Sequence, residues 1–109
     1  MPTDPTITVA EAMTLHGEDN VTFVDVREPD EIAQGTIAGA AKIPRGTLPE
    51  ILADLSGPLA DTSRTYVFYC AAGARASHAA QTAQAFGLQN IRVMETGYTN
   101  WKGAGGPTE

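Results

Sequence analysis

The stretch Tyr66-Val67-Phe68-Tyr69-Cys70-Ala71-Ala72-Gly73-Ala74-Arg75 decides the fold. An aromatic and β-branched run of strand character ends at the only cysteine of the chain. Small residues follow, and an alanine-rich helical segment runs from Ala74 to Phe86, capped by Gly87. This layout puts one sulfur at the carboxyl end of a buried strand, facing a helix N-terminus. Backbone N–H groups and the helix dipole converge there on negative charge. A sulfur so placed is expected to be a thiolate, the nucleophilic form of cysteine.

The same alternation extends in both directions. Ile7-Thr8-Val9 is expected to be a short strand, and residues Ala10 to His16 a helix stopped by Gly17. Val21 to Val26 is nearly continuous in apolar and β-branched residues, as for a strand covered on both faces. Pro29 to Gln34 reads as a short helix, with Asp30 and Glu31 at its positive end. Ala40 to Ile43 is a strand stopped by Pro44. Leu48, Ile51, Leu52 and Leu55 share one helical face. Ile91 to Met94 is a further strand, and Tyr98 to Lys102 a short helix. Strands alternating with helices predict an α/β domain: a mostly parallel, five-stranded sheet with helices on both faces, in three layers. Ligands of such sheets bind outside the carboxyl strand ends, where Cys70 and the segment Asp25-Val26-Arg27-Glu28 both fall.

With 109 residues, one domain is expected over 1–109. Its core spans about 7–102, with loose termini at 1–6 and 103–109. One cysteine excludes an internal disulfide and a multi-cysteine metal site. No metal or organic cofactor is expected. The formal charge of −6, from 13 acidic and 7 basic residues, argues against nucleic-acid binding, which rests on clustered Lys and Arg. The N-terminus lacks the basic and apolar regions of a secretory signal, and no apolar run approaches a membrane span. A soluble, cytoplasmic protein is the resulting expectation.

Within the loop, Ala71, Ala72, Gly73 and Ala74 leave room for a nest of N–H groups around an anion, and Arg75 adds a permanent cation. Asp25 and Arg27 are expected to form a structural ion pair beside this site. Arg45 is as readily a solvated surface residue as part of the site mouth. His78 falls away from the small buried face marked by Ala79, Ala80 and Ala83, so it is not expected to act on Cys70. His16 reads as a helix C-terminal residue, and Trp101 as packing for the terminal segment.

The sequence Cys70-Ala71-Ala72-Gly73-Ala74-Arg75 resembles the active-site loop of rhodanese-domain sulfurtransferases. The segments Asp25 to Glu31, Gly35 to Pro44, and Gly97 to Trp101 with Gly106-Pro107 are similar to other motifs of that family, in the same order. The resemblance implies a rhodanese-like fold and a sulfurtransferase. Cys70 would take the outer sulfur of thiosulfate or a persulfide and pass it to a thiol or cyanide. The backbone of Ala71 to Arg75 would hold the charged sulfur, with Arg75 in support. Partners would be these small molecules and a sulfur-relay protein, with no nucleic acid and no membrane.

Three positions depart from the family pattern. Thr36 stands where many members carry His, Ala71 and Ala72 replace basic residues of some thiosulfate-using members, and Tyr98 replaces a glycine. The alternatives are a thiol-based phosphatase or arsenate reductase, or a non-catalytic binding module on the same fold. Related phosphatases use Cys-x5-Arg, whereas this chain has Cys70-x4-Arg75, one residue shorter.

Overall fold

Strand-forming runs rich in Val, Tyr and Phe give a central sheet, here in a computed structural model. The structure describes residues 6–109 except 55, 58, 62, 72, 73, 89 and 96; the side chains of 45, 74 and 75 are likewise left undescribed. In chain order the elements are β1 (Thr6–Ile7), α1 (Val9–Leu15), β2 (Val21–Asp25), α2 (Pro29–Ala33), β3 (Ala41–Lys42), a 3₁₀ turn (Arg45–Thr47), α3 (Leu48–Ala53), β4 (Thr65–Tyr69), α4 (Ala74–Ala85), β5 (Ile91–Met94) and α5 (Tyr98–Gly103). The strands pair in the order β1-β5-β4-β2-β3, and every pairing is parallel. No described helix is long and apolar enough to cross a membrane.

Period-two alternation divides the core into two layers. Val24, Val26, Tyr66, Phe68, Ile91 and Val93 face one way, against Leu48 and Leu52 of α3 and Ala76, Ala79, Ala80 and Ala83 of α4. Phe23, Val67, Tyr69 and Met94 face the other way, against Ala12 of α1 and Trp101 of α5. Alanine on the inner face of α4 lets that helix lie close to the sheet. Helices of six or seven residues, as α1, α3 and α5 are, do not persist alone; the two apolar layers hold them in place.

Several element boundaries differ from the sequence reading by a residue or two. Thr8 is not a strand residue but the N-cap of α1. Its side chain accepts from the Glu11 amide while the Glu11 carboxylate accepts from the Thr8 amide. That reciprocal pair ends β1 at Ile7. The helix expected over 48–55 closes at Ala53, and Leu55 lies outside the described residues.

The tail expected to be loose over 103–109 is instead tied down. Pro107, Thr108 and Glu109 pair antiparallel with Thr36, Ile37 and Ala38 through three backbone hydrogen bonds: Thr36 N–H to Glu109, Glu109 N–H to Thr36, and Ala38 N–H to Pro107. The Trp101 indole N–H donates to the Pro107 carbonyl at 2.9 Å. Gly106 runs flat against that ring, where a Cβ would come within 2.3 Å of it. Exposed backbone groups find partners here, and a buried indole finds its acceptor.

His16 joins the same assembly. As the C-cap of α1 it points its Nε2–H at the Ala38 carbonyl, 2.8 Å away, and its ring sits 5.4 Å from both Phe23 and Trp101. Trp101 therefore anchors α5, the tail and the end of α1 together. Replacing it with alanine is expected to cost about 3–5 kcal/mol, the range for a large buried aromatic. A urea-unfolding midpoint measured on Trp101→Ala checks this.

Candidate active site

Asp25 and Tyr69 are register partners at the carboxyl ends of neighbouring strands, so their side chains emerge side by side on one face. Both are fully buried. A carboxylate in that place needs donors. Arg27 provides three: its backbone N–H and Nε reach Asp25 Oδ1 at 3.0 Å each, and Nη2 reaches Oδ2 at 2.7 Å. The Thr36 hydroxyl lies 2.8 Å and the Tyr69 hydroxyl 2.9 Å from Oδ2, with the two hydroxyl oxygens 2.6 Å apart. Tyr69 also accepts the Ile37 amide at 3.0 Å. Arg27 Nη2 donates as well to the Gly35 carbonyl.

Burial opposes the Arg27 cation, but the hydrogen bond and charge of Asp25 outweigh it and hold the guanidinium above its ordinary pKa. Burial, and then the Asp25 charge, push the Tyr69 phenol above the ordinary range. The Asp25–Arg27 pair is thus built into the domain. The position of Thr36 is occupied by a hydroxyl that this carboxylate binds directly.

Arg27 turns its other face to Tyr98, whose ring centroid lies 4.1 Å from Cζ. Tyr98 in turn stacks on Tyr69, with centroids 6.4 Å apart. The Tyr98 backbone N–H donates to the Cys70 carbonyl at 2.9 Å. One residue earlier, Gly97 passes so close that a Cβ there would fall 1.8 Å from the Ala71 carbonyl oxygen and 2.5 Å from that of Cys70. Its φ of −108° is open to any residue, so space alone demands glycine.

Cys70 follows β4, is 1% exposed, and sits in the layer of α4 with Ala76 and Ala79. Tyr69 and Cys70 alternate faces, so the thiol and the ion pair lie on opposite sides of the sheet. Helix α4 begins at Ala74, four residues after Cys70. Ala72 and Gly73, and the side chains of Ala74, Arg75 and Arg45, lie outside what the structure describes. His78 is exposed and faces a cleft with Gly46, Leu48, Pro49 and Thr82, away from the Cys70 loop. Among the described residues no group of three His, Cys, Asp or Glu side chains could hold a metal.

A groove of about 320 Å³ opens beside the loop, lined by Arg27, Glu31, Gln34, Ala71, Tyr98, Thr99 and Lys102. A larger one of about 610 Å³ runs between α2, Lys42 and Glu109, and takes no described residue of the Cys70 loop. Of these two, the smaller groove is the one that reaches Ala71. The close approach of Gly97 to the loop went unread in the sequence. The signal available was a glycine between a strand and a short helix, which marks a close approach of backbones.

A model of the rhodanese-like domain matches residues 8–104. This chain belongs to the rhodanese-like domain family. The yeast Saccharomyces cerevisiae thiosulfate:glutathione sulfurtransferase is 29% identical over 97 residues, covering 82% of this chain and 70% of the relative. The Arabidopsis thaliana dual specificity phosphatase Cdc25 is 26% identical over 110 residues, covering 93% and 75%. Among solved structures, a Rhodopseudomonas palustris protein of unknown function, described as a possible tyrosine phosphatase, is 41% identical with a TM-score of 0.82, covering 97% of this chain and 85% of that one. The rhodanese-like fold is thus shared by relatives named for sulfur transfer and for phosphate hydrolysis.

Two variants test this geometry. Tyr69→Phe should lose about 1–3 kcal/mol at pH 7, because the Ile37 amide is left without its acceptor and Asp25 loses a donor. The phenol's pKa is raised on folding, so its stabilisation is fully present below about pH 10 and is lost as pH rises above that value. Above pH 10 the wild-type protein should lose stability more steeply than Tyr69→Phe, by up to about 1.4 kcal/mol per pH unit. Urea midpoints collected from pH 7 to 11.5 decide it, and parallel curves would count against the assignment. Gly97→Ala should force the Ala71 carbonyl away, cost about 1–3 kcal/mol, and uncover Cys70. Faster alkylation of Cys70 by iodoacetamide, with a lowered urea midpoint, is the expected pair of results.

Proposed function

We propose that this protein is a sulfurtransferase that carries sulfur as a persulfide on Cys70. The observation that carries this reading is the placement of Cys70 between the carboxyl end of β4 and the start of α4, with Arg75 five residues on. The Cys70 sulfur attacks the outer sulfur of a sulfane donor. With thiosulfate the S–S bond breaks, sulfite leaves with the bonding pair, and the outer sulfur stays on Cys70. A thiolate or cyanide then takes that sulfur and returns Cys70 to its starting state. Backbone N–H groups at the first turn of α4, with the Arg75 cation, would stabilise the charge on the terminal sulfur. The alternation of loading and discharge is ping-pong transfer and calls for no cofactor.

The name of the yeast relative supports thiosulfate as donor and a thiol as acceptor. A sulfur-relay protein is a further partner consistent with this chemistry, and a single cysteine suits a reducing compartment such as the cytoplasm. The phosphatase-named relatives favour a second reading, phosphate ester hydrolysis through a Cys70 phosphoenzyme. Against it stands the Cys70-x4-Arg75 spacing, one residue shorter than the phosphatase loop that encloses a phosphate.

Intact-mass analysis separates the two. After incubation with thiosulfate the wild-type protein should gain one sulfur atom, and Cys70→Ser none, because a serine hydroxyl cannot carry a persulfide. Sulfur transfer to cyanide at the wild-type rate by folded Cys70→Ser would overturn the assignment. Release of phosphate from an aryl phosphate, without sulfur uptake, would establish the phosphatase reading in its place.

A further inference from the structure

We infer that Tyr98 is a positioning residue for Cys70. Its ring, wedged against Arg27 and Tyr69, holds its backbone N–H on the Cys70 carbonyl, and the peptide so locked turns the Ala71 N–H toward the sulfur that Cys70 carries. The inference rests on the persulfide reading of Cys70.

The backbone is the first argument. Strand β4 ends at Tyr69, whose carbonyl takes the Val26 N–H. The next carbonyl, that of Cys70, lies beyond the last β4–β5 register pair, Phe68 with Val93. The Tyr98 N–H fills it at 2.9 Å. The bond serves α5 as well. Tyr98 is the first residue of that helix, so its N–H has no intrahelical partner, and Gly97 before it supplies no side-chain cap.

The peptide joining Cys70 to Ala71 is planar and trans, so its N–H points opposite to its C=O. With the carbonyl drawn toward α5, the Ala71 N–H is directed away from α5. Helix α5 packs through Trp101 on one face of the sheet, whereas Cys70 and α4 share the other. The Ala71 N–H therefore opens on the turn that leads from Cys70 into α4. Among the described residues it meets no hydrogen-bond partner, so it is available to an anion there.

The ring is the second argument. Trp101 anchors the far end of α5, and the Tyr98 ring sets the near end. Arg27 lies over its face, with Cζ 4.1 Å from the centroid, and Tyr69 stacks on it at 6.4 Å. Its hydroxyl sits over Gly35, where a Cβ would come within 2.8 Å of Oη. Arg27 and Tyr69 are themselves pinned by the buried Asp25 carboxylate. The first turn of α5 is thus referenced to a fixed cluster, and the Cys70 carbonyl is referenced to that turn. Contact passes through the Cys70 backbone, so it reaches the thiol although the ring and the sulfur occupy opposite faces.

The step that reads this out is discharge to cyanide. Cyanide attacks the outer sulfur of the Cys70 persulfide, the bond between the two sulfurs breaks, its electron pair stays on Cys70 as thiolate, and thiocyanate leaves. The protein is loaded from thiosulfate, or from polysulfide where thiosulfate does not load it. Rates are taken per loaded molecule by intact mass, so unfolded protein does not count. Tyr98→Phe keeps the ring, and Tyr98→Ala removes it. A third chain carries the α-hydroxy analogue of tyrosine at position 98, which keeps the ring but exchanges the N–H for an ester oxygen.

Tyr98→Phe should discharge within about twofold of wild type, whereas Tyr98→Ala and the ester chain should be slowed about five- to fiftyfold. That is below the ~10²–10³ for a donor removed outright, because other N–H groups of the turn remain. In isotope-labelled wild-type protein the Ala71 amide proton should move downfield when Cys70 is loaded, and in the ester chain it should not. A rate within about twofold of wild type for Tyr98→Ala or the ester chain, or a wild-type Ala71 amide unmoved by loading, would overturn the positioning role while leaving the sulfurtransferase reading intact. Tyr98→Phe as slow as Tyr98→Ala would overturn the part given to the ring. Failure of the wild-type protein to take up sulfur from either donor would overturn both.

Discussion

The buried Asp25 carboxylate is the constraint around which this end of the domain is organised. It sits at the last residue of β2, with no exposed surface, and collects donors from four directions: Arg27 in its own segment, Thr36 after α2, Tyr69 at the end of β4, and the Arg27 backbone. Removing the Arg27 cation from such a cluster strands a buried charge and typically costs about 3–5 kcal/mol, far more than an exposed pair contributes. The cluster also fixes geometry. Arg27, once pinned, presents a flat cation to Tyr98, and Tyr98 holds the Cys70 carbonyl through its own amide. A charge on one side of the sheet thereby sets the position of a loop on the other side, through backbone and ring contacts.

That chain of contacts explains how a family pattern tolerates change at this site. Thr36 stands in the place of a common histidine and keeps a hydrogen bond to Asp25. Tyr98 stands in the place of a glycine, and fills the added volume with a ring that stacks on Tyr69 and covers Arg27. Both residues are held by groups that are buried together around Asp25.

Much of this was legible in the sequence, and for identifiable reasons. Val21 to Val26 and Thr65 to Tyr69 are dense in β-branched and aromatic residues, and the small face of α4 has helical spacing, so the parallel α/β architecture and the strand-end cysteine followed. What was missed depends on partners distant in sequence. The capping pair Thr8–Glu11 looked like strand because Ile7, Thr8 and Val9 all favour it. The tail reads as loose from its glycines, yet its order comes from an edge more than sixty residues away, at Thr36 to Ala38. The approach of Gly97 to Ala71 is likewise a tertiary fact with only a glycine as its local trace. His16 offers only a helix-end residue in sequence, and its contacts with Phe23, Ala38 and Trp101 require the fold.

The alternation of Tyr69 and Cys70 across β4 has an evolutionary corollary. Inserting or deleting one residue within the strand would exchange their faces, driving a phenol into the alanine layer of α4 and a thiol into the ion-pair cluster. The strand thus acts as a rigid ruler that fixes the face on which the sulfur emerges.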